Sequence, residues 1–424
     1  MTEKSTKPQL RFAGFDDTWE QRKLSDIATM HARIGWQNLR TSEFLDSGDY
    51  MLITGTDFND GAVNYSTCHF VEKERYEQDK HIQIKNGSIL ITKDGTLGKV
   101  AYVQGLSMPA TLNAGVFNVE IKDETKVDNK YLFQYLKAPF LMDYVDKKAT
   151  GGTIKHLNQN ILIDFPVVMP SKAEQEAIGV YFEQLDNIIT LHQRKYDKLT
   201  NVKKSMLEKM FPKNGSNVPE IRFKGFSDAW EQRKAVDIAD YSKGNGYSKS
   251  DLTENGTPII LYGRLYTKYQ FAIDEVDTFA TPKDGSIYSQ GNEVIIPASG
   301  ETAEDIARAS AVEKSGILLG GDLNILRPFN FINPLFLALT ISNGEPQKEL
   351  AKKAQGKSVV HIHNSDIQEV TVSFPTRAEQ DRIVAVFRSL DNLITLHQRE
   401  CFFVNLSLIT NALPNQHLYS QVLE

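Results

Sequence analysis

Two long segments of this 424-residue sequence occur twice, and that repetition restricts the chain to tandem copies of one unit. PQLRFAGFDDTWEQRKLSDIA (Pro8 to Ala28) returns as PEIRFKGFSDAWEQRKAVDIA (Pro219 to Ala239) at an offset of 219 − 8 = 211, with 14 of 21 positions identical. AEQEAIGVYFEQLDNIITLHQR (Ala173 to Arg194) returns as AEQDRIVAVFRSLDNLITLHQR (Ala378 to Arg399) at an offset of 378 − 173 = 205, with 14 of 22 identical. The stretches between these anchors hardly resemble each other. A chain that keeps its frame and varies its filling suits two related tasks on two targets.

The repeat divides the chain into an anchor with a variable domain (1–170), a long helix (171–212), a polar linker with a second anchor and variable domain (213–375), and a second helix with a tail (376–424). Each helix opens on proline and an [ST]-x-x-E pattern: Pro170 with Ser171 and Glu174, and Pro375 with Thr376 and Glu379. That pattern predicts capping boxes, in which the glutamate reaches back to the cap N–H. Ile178, Phe182, Leu185, Ile189, His192, Tyr196 and Leu199 alternate by four and three residues, as do Ile383, Phe387, Leu390, Ile394, His397, Cys401, Val404 and Leu408. A heptad seam kept over about four repeats predicts that the two helices pack together as a coiled coil. A helix over 171–210 would span roughly 60 Å, the length of a spacer more than of a surface cap.

The variable domains read as mixed α and β. Ser88–Thr92, Lys99–Val103 and Gly115–Ile121 are predicted strands, the first two joined by the turn Lys93 to Gly98. Asn129–Val145 is predicted as helix interrupted at Pro139. The second domain offers strands at Glu293–Ile296, Ile317–Leu319 and Leu323–Leu326, then helices over Pro334–Ser342 and Pro346–Ala354.

Nothing in the sequence assembles a catalytic site. Gly356-Lys357-Ser358 ends like a P-loop, but Ala351 stands where its first glycine is required. The nine histidines and two cysteines show no metal-ligand spacing, so no metal is expected. A base-methylating loop of the Asn/Asp-Pro-Pro-aromatic type is absent, since no Pro-Pro pair occurs. The histidines of the repeated LHQR, His192 and His397, share one seam position and are assigned to packing and hydrogen bonding between helices. Trp19 and Trp230, with the polar tail that follows each, are expected to anchor onto the helices or a partner.

A fainter echo carries charge. Lys147-Lys148-Ala149-Thr150-Gly151 matches Lys352-Lys353-Ala354-Gln355-Gly356 at offset 205, and His156 matches His361. Paired lysines before a glycine loop offer cations and free N–H groups to phosphates; the plain alternative is a helix end with its dipole complemented. Lys93, Lys99, Lys147, Lys148, Gly151, Lys155, Lys352, Lys353, Gly356 and Lys357 are therefore the candidate DNA contacts. The counterpart of the Lys93 turn, Ser299 to Thr302 with Glu304 and Asp305, is acidic. The net charge of 48 − 54 = −6 counts against a chain that coats nucleic acid indiscriminately, but not against local basic faces. No signal peptide or membrane-spanning run is read in the sequence, and the cytoplasm is the expected location.

The tandem layout, the WEQRKL segment, ILITKDGTLGKVA (Ile89 to Ala101) and the proline-capped AEQ…LDN…LHQR helices together resemble specificity subunits of bacterial type I restriction–modification systems. The resemblance covers essentially the whole chain. It implies an α+β fold: two target recognition domains separated by two long antiparallel coiled-coil helices, as a pseudo-twofold repeat. Each domain would read one half of a split asymmetric site on double-stranded DNA. Phe182, Leu185, Ile189, His192, Phe387, Leu390, Ile394 and His397, with Trp19 and Trp230, would hold the helix seam and dock partners. Those partners would be two methyltransferase subunits for adenine methylation and restriction motor/nuclease subunits for cleavage. S-adenosylmethionine, ATP and Mg would reside on them, and this chain would be non-catalytic. Two readings from other classes stay open: a helical scaffold that binds no DNA, and an unrecognised nuclease.

Overall fold

The computed structural model describes residues 8, 10–148, 156–213, 215–356 and 359–412. The chain forms two compact units, Met1–Leu191 with Phe402–Glu424 and His192–Cys401. The division falls inside both long helices, Lys172–Lys209 and Arg377–Ala412.

In the first unit a six-stranded sheet runs Ala28–His31, Val116–Ile121, Ile89–Thr92, Val100–Tyr102, Ala62–Val63, Phe58–Asn59 in spatial order. The predicted strands lie within one residue of their expected ends. All four residues of Ile89–Thr92 are buried, because the sheet is covered on both faces. Ile89 and Ile91 face a core with Tyr131, Leu132 and Leu136, while Leu90 joins Met51, Ile53 and Leu112 on the opposite side. The helix breaks at Pro139 as expected, into Asn129–Lys137 and Phe140–Lys148.

The second unit repeats this plan. One of its two five-stranded sheets places Glu293–Pro297 between Leu323–Pro328 and Ser310–Val312. Val294 and Ile296 enter one core and Ile295 another, each 205 residues after Ile89, Ile91 and Leu90. Two helices follow. Pro334–Ile341 is capped by Asn333, whose carboxamide oxygen accepts from Leu335 N at 2.8 Å, and Gly344–Lys353 starts two residues before the predicted Pro346.

Two expectations about the frame are corrected. Glu174 and Glu379 do not close capping boxes. Each is essentially fully buried and is held by an anchor arginine through two parallel bonds, Arg11–Glu174 at 2.7 and 2.7 Å and Arg222–Glu379 at 2.8 and 2.8 Å. A carboxylate so deep needs a full, bidentate counter-charge, and an N-cap amide does not supply one. The polar tails after Trp19 and Trp230 do not dock on helices either. Glu20–Lys23 pairs antiparallel with Pro166–Met169, and Glu231–Lys234 with Thr371–Phe374, so each anchor closes its repeat as a strand. Trp230 is buried against Phe211 and Phe336, and the half-buried Trp19 meets Tyr131 edge-on at 6.5 Å, so each ring packs within its own domain.

Candidate nucleic-acid interface

In the first unit the turn after Ile89–Thr92 is fixed from three sides. Lys93 N donates to Gly115 O at 2.9 Å and Gly98 N to Thr92 O at 2.9 Å. Gly98 has φ +72°, and a Cβ there would lie 2.2 Å from Met142 Sδ, so the turn is pressed onto the helix that ends in Lys147 and Lys148. The chain returns beside it: Leu157 N donates to Lys93 O at 2.8 Å, and His156 Nδ1 lies 2.5 Å from Asp94 Oδ1. Lys93 and Lys99 thus lie on this turn, and the helix pressed against it carries Lys147 and Lys148 in its last turn. Lys99, Lys147 and Lys148 are exposed, while Lys93 is half-buried with Nζ 5.5 Å from the Phe117 ring centroid. Gly151 and Lys155 lie outside the described residues.

The second unit makes the same contacts 205 residues later. Ile362 N donates to Ala298 O at 3.0 Å, and His361 Nδ1 meets Ser299 Oγ at 3.1 Å. Gly356 follows the lysine pair with φ +139°, and a Cβ would stand 1.9 Å from Val359 O, so only glycine fits. Lys352 is exposed. Lys353 is paired with Glu369, which raises its pKa. Lys357 lies outside the described residues. The neighbouring turn keeps its acidic character: Thr302 caps Ala303–Ile306, and Asp305 pairs with Arg308 at 3.3 Å.

The helix seam is also visible. Within the second unit, Phe387 and Leu390 are buried and Ile394 is half-buried. His192 meets His397, Lys203 pairs with Asp391, and Phe211 meets Phe387. As one number rises the other falls, so the two segments run antiparallel. His192 and His397 are hydrogen-bonded as assigned, Nδ1 to Nδ1 at 3.0 Å, and Glu400 joins them. In the first unit Phe182, Leu185 and Ile189 are half-buried along the first long helix. The side chains of Cys401, Val404 and Leu408 lie outside the described residues. Off the seam, Leu393 and Leu396 are exposed in the second unit, and so are their counterparts Ile188 and Leu191 in the first.

The geometry agrees with relatives. The family model for the type I restriction modification DNA specificity domain matches residues 16–201 and 227–401, most of the chain. The chain belongs to this family. Its curated relatives include the MjaVIII specificity subunit of Methanocaldococcus jannaschii, 24% identical over 340 residues, covering 76% of each chain. The MjaIX specificity subunit of the same organism is 21% identical over 404 residues, covering 90% of this chain and 89% of its own. Among solved structures, a type I S subunit from M. genitalium superposes with a TM-score of 0.62 at 14% identity over 96% of this chain and 99% of its own, a likeness of fold. For a specificity-family chain the two matched segments correspond to the two repeats. Among the described residues no helix is long and apolar enough to cross a membrane.

Sequence reading missed three groups that order this frame. The Arg11–Glu174 and Arg222–Glu379 pairs had a signal, since both members recur in the repeat, but pattern reading gave the glutamates to capping. Glu400 had none: its counterpart at 400 − 205 = 195 is Lys195. Arg33, 1% exposed, donates to Leu112 O at 3.0 Å and to four further acceptors, and no spacing announced it.

Proposed function

We propose that this chain is the DNA-reading subunit of a type I restriction–modification complex, each variable domain reading one half of a split, asymmetric site. The observation that carries this is the pair of equivalent turns, each beside a lysine-bearing helix end, on otherwise divergent domains of a specificity-family chain. Lysines on such a rim set register on phosphates, while neighbouring polar side chains read base edges. The basic rim in the first unit and the partly neutralised one in the second fit unlike half-sites. The long helices set the gap, and linking two modest half-sites makes the second binding event intramolecular.

The exposed apolar residues Ile188, Leu191, Leu393 and Leu396 support docking of methyltransferase subunits on the helices. On this reading the chain performs no chemistry. S-adenosylmethionine, ATP and Mg belong to the partner subunits, and the complex works in the cytoplasm beside the DNA. Methylome sequencing of a host carrying the subunit and its methyltransferase tests it. Exchanging residues 29–170 for another recognition domain should alter one half of the methylated sequence only; a change in both halves, or in neither, overturns the modular reading.

A further inference from the structure

Where the two helix segments of the second unit face each other, three potential metal ligands converge. His192 Nδ1 lies 3.0 Å from His397 Nδ1 and 2.8 Å from Glu400 Oε2, and His397 Nδ1 lies 3.3 Å from the same oxygen. The histidine side chains are 18% and 13% exposed and the glutamate 40%. We propose that His192, His397 and Glu400 bind one divalent transition-metal ion of the zinc class, which clips the antiparallel helix pair in register.

Proton counting favours a cation there. Each Nδ1 carries at most one proton and the carboxylate carries none. If one imidazole donates, its proton serves the other nitrogen and the carboxylate, and the third edge sets lone pair against lone pair. If both donate to Glu400, two N–H groups crowd the 3.0 Å edge. Every pattern leaves one of three short contacts repulsive, whereas a single cation satisfies all three. The triangle also has the right size. An ion about 2.1 Å from each ligand atom would sit roughly 1.1 Å above their plane, leaving the open fourth position of a tetrahedral site. Two imidazoles and one carboxylate suit zinc, cobalt or nickel more than magnesium or calcium, which prefer all-oxygen shells.

The repeat explains why the site is three-sided. His192 and His397 are equivalent positions, so the histidine pair sits at a point of local twofold symmetry between the antiparallel segments. Glu400 breaks that symmetry, since its equivalent is the exposed Lys195. One helix supplies a carboxylate and the other does not.

A second trio, His31, His81 and Glu120, provides an internal control. Its nitrogens stand 3.6 and 3.8 Å from the carboxylate, and two of its three residues are exposed. The test uses the full chain, stripped with chelator and titrated with Co2+ as a spectroscopic probe and with Zn2+ for stoichiometry. About one equivalent should bind, with the intense visible bands of a low-symmetry, near-tetrahedral cobalt site. His397→Ala and Glu400→Gln should each weaken zinc by about tenfold to a hundredfold, and His31→Ala should leave it unchanged. Should His397→Ala fail to fold by circular dichroism, Glu400→Gln decides, since its half-exposed carboxylate is dispensable for packing. Uptake well below one equivalent at ~100 μM metal, where even a weak protein site would raise thermal stability, overturns the proposal. Binding unaltered by Glu400→Gln, or lost in His31→Ala, overturns it as well.

Discussion

The two units match at the buried polar groups that open each long helix and part at an apolar contact one turn further on. At the start of each long helix the same three residues do the same work. Gln175 Oε1 accepts from Asp128 N at 2.9 Å and its Nε2 donates to Pro170 O at 2.9 Å; Gln380 repeats this with Asn333 N at 2.8 Å and Pro375 O at 2.9 Å. Beside each glutamine stands the buried glutamate with its anchor arginine. Four residues further on the units part. Gly179 lies so close to the helix at Asn129–Lys137 that a Cβ would stand 2.9 Å from both Asp128 Oδ1 and Lys130 Cβ, yet the equivalent position is Val384, buried at 6%. Buried polar geometry admits one solution, while apolar contacts can be repacked if volume is kept. Duplication therefore kept AEQ with its anchor arginine, while the contact at Gly179 was repacked around Val384.

The arginine–glutamate pair gives the sharpest test of that contrast. Arg222→Ala strands Glu379, 1% exposed, without its counter-charge, and should cost the second unit about 3 kcal/mol, read from chemical denaturation. Replacing both partners with methionine should recover most of the loss, since a matched apolar pair has no orphaned charge. Arg11→Ala should act in the same direction on the first unit. If only one of the two arginines matters, the frame is not equivalent in the two units.

At the position where the units diverge, Gly179→Val should overpack the helix contact and cost the first unit about 1–3 kcal/mol. A neutral result would mean that the close approach relaxes easily and that the glycine is incidental. The basic rims predict a smaller, electrostatic difference. Replacing Lys147 and Lys148 with alanine should reduce the salt slope of DNA binding by about 1.8, at roughly 0.9 per phosphate contact. Replacing Lys352 and Lys353 should reduce it by only about 0.9, because Lys353 is already paired with Glu369. Equal slopes would erase the asymmetry between the two rims.

The sequence made visible what is periodic or repeated: the strands flanking the Lys93 turn, the break at Pro139, the heptad seam and the two-unit layout. These depend on local signals such as proline, alternation and a run of seven, which act within a few residues. The misread groups depend on partners far along the chain. Glu174 sits in a capping pattern that its neighbours satisfy, but Arg11, 163 residues away, takes it. The Glu369 that pairs with Lys353 lies 16 residues on, outside any spacing rule. Spacing rules could not find the histidine trio, because its ligands come from helices 205 residues apart and only one repeat carries the glutamate.

The two histidine trios extend the comparison to pH. In the first unit His31 and His81 stack at 4.4 Å with their rings 19° apart, a contact that disfavours two positive charges. Burial, and then the His81 charge, lower the pKa of His31 below its ordinary 6.5, against a smaller upward pull from Glu120. The folded state therefore binds a proton at His31 less readily than the unfolded chain. Its contribution to stability is complete above pH 6.5 and is lost as pH falls through 6.5 toward the folded value. His81→Ala should move the His31 titration upward and narrow that window, whereas Glu120→Gln should move it downward and widen it. The displacement is small, because His31 is only partly buried and solvent screens it. NMR titration of the His31 ring protons measures it directly, and a midpoint at or above 6.5 in the unsubstituted chain would show that the stack carries no electrostatic cost.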